Sequence, residues 1–249
     1  MNQAAAASVI IMAGGKTDPT AARGGVAHRG LLVVQGQTII SRLIAACQGA
    51  GVGQIIAVGT PEILATLPDG VEGLAAPGAA AANIAAGLAR ADREWVIIAT
   101  ADLPWLTAAG VARFITTAQA CGADMVYPIV SQQDYNRRFP GGRRTYVTLR
   151  EGTFTGGNLI LLRREFLVRL MPLVQRIFDS RKNPLALARL FGLGFILGLL
   201  SKRLSIAAVE ARASRITGGR TVALPIDLPE IACDIDKPED LAEICPTMQ

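Results

Sequence analysis

Asp102 closes a run of apolar residues, Trp95-Val96-Ile97-Ile98-Ala99-Thr100-Ala101, and is followed by Leu103-Pro104-Trp105. A carboxylate at the mouth of a buried strand is badly placed for packing. It is well placed for Mg²⁺, a hard cation that takes oxygen ligands. The competing use is to cap the loop that follows. Asp234-Ile235-Asp236 offers two more carboxylates, which share one face if Ile231–Ile235 is a strand, because alternate residues then point the same way. The same stretch, continued by Lys237-Pro238-Glu239-Asp240, also reads as a helix start with acids in its first turn. A third feature, Ala13-Gly14-Gly15-Lys16, follows a buried run and can bring backbone N–H groups close to phosphate. It is neither a P-loop, because Ile10 stands where the first glycine is required, nor a G-x-G-x-x-G turn.

Several other chemistries are excluded. The 249 residues include one histidine, His28, and four cysteines without C-x-x-C spacing, Cys47, Cys121, Cys233 and Cys245. This argues against zinc and histidine-based acid–base catalysis, and the thiols read as reduced core residues of a cytoplasmic protein. Hydrophobic residues make up 51% and charged residues 18%, with a mean hydropathy of +0.36, which excludes disorder. The net charge of +5 is unevenly distributed. Residues 137–220 hold 17 Lys/Arg against 4 Asp/Glu, whereas residues 221–249 hold 1 against 7. The basic block implies an anionic partner, and its densest part is Arg137, Arg138, Arg143 and Arg144. The bland alternative is a solvated basic loop. Nothing in the pattern calls for nucleic acid.

The elements that must position these residues follow from periodicity. Ser8–Met12, Gln54–Val58, Trp95–Thr100 and Asp124–Val130 read as strands. Thr38–Gly49, Ala79–Ala91 and a helix capped by Thr107 and running to Ala120 separate them. Strands alternating with helices predict a three-layer α/β/α sheet, mostly parallel. Beyond Val130 the pattern predicts an arginine-rich loop over Asn136–Arg144, strands at Thr145–Leu149, Gly157–Leu162, Thr221–Leu224 and Ile231–Ile235, and a helical subregion over 163–215. One domain with a helical insertion accounts for the chain. Ala4–Ala13 has the apolarity of a signal-peptide core but lacks a preceding basic residue, so it reads as the first strand. Leu185–Leu200 falls short of the ~20 apolar residues of a membrane span. Lipid-phosphate contact there is therefore a minority reading.

Ala13-Gly14-Gly15, then His28-Arg29-Gly30-Leu31-Leu32, then the Gly36 turn opening a helix, together resemble the MobA-like NTP transferase family. The resemblance implies a nucleotide-diphosphosugar transferase (GT-A type) fold. It puts Arg29 at the nucleotide-phosphate lysine and Arg23 at a loop arginine. Asp102 falls at the metal aspartate, and Asp236 at the second metal contact before the Pro-Glu-Asp-Leu helix. Pro77, Gly78 and Asn83 match the loop that holds base and ribose. Arg143-Arg144-Thr145-Tyr146 and Thr153-Phe154-Thr155-Gly156-Gly157-Asn158 resemble the acceptor side of uncharacterised members.

The implied reaction moves an NMP from an NTP to a phosphorylated small-molecule acceptor and releases pyrophosphate. Mg²⁺ (or Mn²⁺) would sit on Asp102 and Asp236, while Arg29, Lys16 and the Ala13-Gly14-Gly15 backbone neutralise charge. Two alternatives stay open: a glycosyltransferase using Asp234-Ile235-Asp236 as its metal motif, and a regulatory nucleotide-binding protein whose catalysis was lost with the lysine-to-arginine change at Arg29. Base, acceptor and oligomeric state are not legible in the residues.

Overall fold

The computed structural model describes residues 3–15, 19–180, 192, 195, 198, 201–235 and 240. In chain order the elements begin β1 (Ala7–Ala13), α1 (Pro19–Arg23), β2 (Val33–Val34), β3 (Gln37–Thr38), α2 (Ile39–Gly49), β4 (Gln54–Gly59) and α3 (Pro61–Leu64). Next come β5 (Glu72–Ala75), α4 (Ala80–Arg90), β6 (Trp95–Thr100), α5 (Ala108–Ala120), β7 (Met125–Ser131) and α6 (Gln132–Arg138). The chain continues through β8 (Val147–Leu149), β9 (Gly152–Gly156), β10 (Leu159–Arg163), α7 (Arg164–Ser180), α8 (Ile206–Thr217) and β11 (Thr221–Pro225). Among the described residues nine strands form one mixed sheet in the order β5-β4-β1-β6-β10-β7-β9-β8, with β11 also paired to β7. β5, β4, β1 and β6 run parallel.

Period-two alternation sorts the strands' side chains into two cores. Val9, Ile11, Ile97 and Ala99 face Ile40, Leu43, Val111 and Phe114 of α2 and α5. Ile10, Ile56 and Val96 face Ile84 and Leu88 of α4 and Phe166, Leu167 and Leu170 of α7. The result is the expected three-layer α/β/α architecture. β1 and β6 are buried on both faces and lie in register, Met12 beside Thr100, so the ends that carry Gly14 and Asp102 emerge side by side. Thr107 caps α5 as its sequence foretells, its Oγ1 accepting from Gly110 N–H at 3.1 Å.

Three expectations change. Ile231–Ile235 is not a strand: Pro229–Ala232 forms a 3₁₀ turn, with Ile231 N–H donating to Leu228 C=O, and Ile231 and Ile235 bury in the core. A short apolar run fits a buried turn as readily as a strand. The start of the arginine-rich loop is the end of α6, whose first turn is capped by the Ser131 hydroxyl. β5 and β9 lie where no strand is expected. β9 and β10 form a single interrupted strand: between the pairs Ile129–Gly156 and Val126–Leu161, three steps along β7 match five along its partner. The two residues in excess, Gly157 and Asn158, make a bulge at which the sheet forks, β10 pairing with β6 and β9 with β8. Most of 181–200, including the apolar stretch at 185–200, lies outside the described residues. No helix among those described is long and apolar enough to cross a membrane.

Cys47, Cys121 and Cys233 are free, and burial pushes the Cys47 and Cys233 thiols up to about 12 from an ordinary value of 9.0. The native state then favours the protonated thiols. Their contribution to stability is complete below pH 9 and is lost as pH rises toward 12, where only the unfolded chain releases these protons freely. A thiol reagent at pH 8 is expected to leave both unmodified until urea unfolds the chain, as peptide mapping of labelled cysteines would register.

Candidate active site

The C-terminal ends of β1, β4 and β5 and the start of α4 enclose a cleft of about 970 Å³ lined by Gly14, Gly15, Thr60, Ala76, Gly78 and Ala80 among others. Small side chains leave backbone as its main polar surface. Ala79 caps α4 without a side-chain hydrogen bond, so the first amides of the helix keep their donors for what enters. Gly78, at φ 135°, adopts a conformation that side-chain-bearing residues rarely reach.

Asn83 holds this arrangement together. It is 1% exposed, and its Nδ2 donates to Gly14 C=O at 3.1 Å and to Gly78 C=O at 3.3 Å. Its Oδ1 accepts from Gly78 N–H at 3.2 Å. A Cβ on Gly14 would lie 2.4 Å from Ala76 Cβ and 2.5 Å from Asn83 Nδ2, so glycine is the residue that lets the two loops meet. Asn83 thus spends its amide on backbone, and its contact with a nucleotide would run through the loops that it pins.

On the other side of Gly14 lies Asp102. Its Oδ2 is 3.3 Å from Arg29 Nη1, and the same nitrogen donates to Ile235 C=O at 2.8 Å. Ile235 N–H donates to Asp102 C=O at 3.2 Å. Arg29 stands at the start of a 3₁₀ turn that His28 caps, Nδ1 accepting from Gly30 N–H at 3.0 Å, and the imidazole lies beside Gly15. Asp102 Oδ1 is buried with no hydrogen-bond partner. Thr100 Oγ1, two residues upstream, and Asn158 Nδ2, on the residue whose C=O accepts from Thr100 N–H at 3.3 Å, are likewise buried without a hydrogen-bond partner. An unpaired buried polar atom costs ~1–3 kcal/mol, more if charged, so the carboxylate oxygen of Asp102 is the one most in need of a cationic partner.

A divalent cation fits part of this set. Among the described residues no three His, Cys, Asp or Glu side chains gather. Mg²⁺ needs no such cluster, because it takes one or two carboxylates and completes its shell with water and substrate phosphate. Lys16 and Asp236 lie outside the described residues.

The acceptor-side residues divide. Arg144 pairs with Asp234, and its Nε and Nη2 reach Thr155 Oγ1 and Gly156 C=O, both at 3.4 Å. Arg137 pairs with Asp134 and Arg138 with Glu230. Arg144, Arg137 and Arg138 are therefore matched by carboxylates. Arg143 is exposed. Gly156 and Gly157 pack under Tyr127 and against Pro128 and Ile231, and Gly157 N–H donates to Pro128 C=O at 2.9 Å. Thr155 is buried. This motif builds the fork of the sheet, and Asn158 is its member with an unpaired donor. Arg23 is exposed at the end of α1, and Pro77 is exposed at the rim of the cleft.

The MobA-like NTP transferase domain model matches residues 9–179. The chain belongs to this family. The transferase also resembles a hypothetical transferase from Thermus thermophilus, with 40% identity and a TM-score of 0.84 over 94% of this chain and 98% of the other. The 2-C-methyl-D-erythritol 4-phosphate cytidylyltransferase of the same organism shares 15% identity and a TM-score of 0.55, with 96% of each chain covered. Rv0371c from Mycobacterium tuberculosis, in complex with manganese, shares 15% and 0.53 over 97% of this chain and 99% of that one. The last two likenesses speak for the fold alone. No match was found among curated proteins.

Three features of the candidate site escape sequence reading: Thr100, the Ile235 peptide and the pairing of Arg144 with Asp234. Thr100 ends a strand as any β-branched residue can, and the other two exist only through contacts that span 90 residues or more. The Asn83 pin makes a direct prediction. Asn83→Ala leaves the Gly78 N–H without its acceptor and should destabilise the transferase by ~1–3 kcal/mol in urea unfolding. It should also weaken nucleotide binding in a titration at a temperature where the variant is folded.

Proposed function

We propose that this nucleotidyltransferase moves a nucleoside monophosphate from an NTP to a phosphorylated small-molecule acceptor, with Mg²⁺ or Mn²⁺ held by Asp102 and Asp236. The observation that carries this reading is the buried, unpartnered Oδ1 of Asp102 at the end of β6, next to the glycine turn that ends β1. An acceptor phosphate oxygen attacks the α-phosphorus, the bond from that phosphorus to the bridging oxygen breaks, and pyrophosphate departs with the electron pair. When bound, the cation supplies neutralising charge to the phosphate oxygens.

The protein's own part is orientation and charge. The cleft between the Gly14-Gly15 turn and α4 receives the nucleotide, with the amides at the start of α4 facing it. Arg29, tethered at Ile235 C=O, and Lys16 set positive charge beside the phosphates. On the acceptor side, the exposed Arg143 attracts the acceptor's phosphate. No protein nucleophile is required, consistent with a single histidine engaged in capping a turn.

Asp102→Asn keeps the shape and removes the charge. Pyrophosphate release, measured with each NTP against a panel of phosphorylated acceptors, is expected to fall at least ~100-fold, on the scale of losing one preorganised electrostatic contact. In thermal shift, an NTP should stabilise the wild type only with Mg²⁺ present and Asp102→Asn not at all. Stabilisation by sugar nucleotides in preference to NTPs would turn the reading towards glycosyl transfer. Nucleotide binding without pyrophosphate release from any acceptor would point to a regulatory protein.

A further inference from the structure

The paired arginines near the site hold different things. Arg137 grips Asp134 within one turn of α6 and is mostly exposed. Arg144 and Asp234 are partly buried, their side chains 14% and 13% exposed, and join segments 90 residues apart. On its far side Arg144 is anchored to β9 through Thr155 Oγ1 and Gly156 C=O. Asp234 adjoins Ile235, whose N–H holds Asp102 C=O and whose C=O holds Arg29 Nη1. Cys233–Ile235 belongs to no ladder; the burial of Cys233 and Ile235 in the core anchors its side chains, and these ties set its backbone.

We propose that the Arg144–Asp234 ion pair is a brace that sets the Ile235 peptide and, through it, the positions of Arg29 and Asp102 for nucleotidyl transfer. Arg144 is then a positioning residue instead of a contact to the acceptor. The inference rests on the roles given to Arg29 and Asp102 above. Its physical basis is that charges largely withdrawn from water are held to their partner, so the two side chains travel together.

Two measurements on the full chain test the brace. In hydrogen exchange, Asp234→Asn and Arg144→Gln should each speed exchange at least fivefold in peptides covering 231–235. Arg144→Lys, which keeps the ion pair, should change it much less, and Arg137→Gln should not change it. In a Mn²⁺ titration followed by electron paramagnetic resonance, Asp234→Asn and Arg144→Gln should weaken binding at least fivefold while Arg137→Gln does not. Unchanged exchange at 231–235 in Asp234→Asn would overturn the brace. So would equal loosening by Arg144→Lys and Arg144→Gln, or loss of protection throughout the sheet with no concentration at 231–235. If the wild type takes up no Mn²⁺, the metal reading fails and exchange alone decides the brace.

Discussion

The carboxylate of Asp102 sits at the end of a strand buried on both faces, where solvent cannot answer its charge. Arg29 answers one oxygen, the protein leaves the other unpaired, and the surrounding contacts follow from that asymmetry. Burying a charge without a partner is costly, so the chain brings a guanidinium from the loop after α1 and ties it to the Ile235 carbonyl. The same peptide then fixes the Asp102 backbone from the opposite side. Three segments distant in sequence are thereby locked around one acidic group.

The sheet provides the stiffness for this. β1 and β6 run parallel and in register, so the glycine turn and the aspartate need no long loop to meet. Asn83, rooted in α4 and fully buried, draws the glycine turn to the Gly78 loop and shapes the cleft between them. Opposite, the bulge at Gly157-Asn158 ends the pairing of β9, begins that of β10 and leaves an amide donor beside Thr100. Bulges near functional sites redirect a side chain at the cost of local pairing, and here the redirected side chain is Asn158.

Much of this was legible in the residues. The apolar runs at the three central parallel strands and the Thr107 cap follow from alternation and hydroxyl chemistry, and the structure places them within a residue or two. The Gly14-Gly15 turn and Asp102 were readable because each directly follows such a run. Ile231–Ile235 misled because burial, not pairing, explains its apolar residues. The arginine cluster was legible only as charge: folding pairs Arg144 and Arg138 with Asp234 and Glu230 from the acidic block that follows, and local sequence does not show which arginines are so paired.

By itself, then, the sequence determined the layer architecture, the strand ends on which chemistry can sit and the membership of a transferase family, since all three depend on local pattern. Only the tertiary structure decided which charges are spent on one another. Arg144 with Asp234, and Arg29 with Asp102 and Ile235, are contacts between segments 73 to 206 residues apart. Local periodicity carries no record of such pairs, because an ion pair is selected by position in space, and side chains far apart along the chain acquire that position only when the sheet assembles.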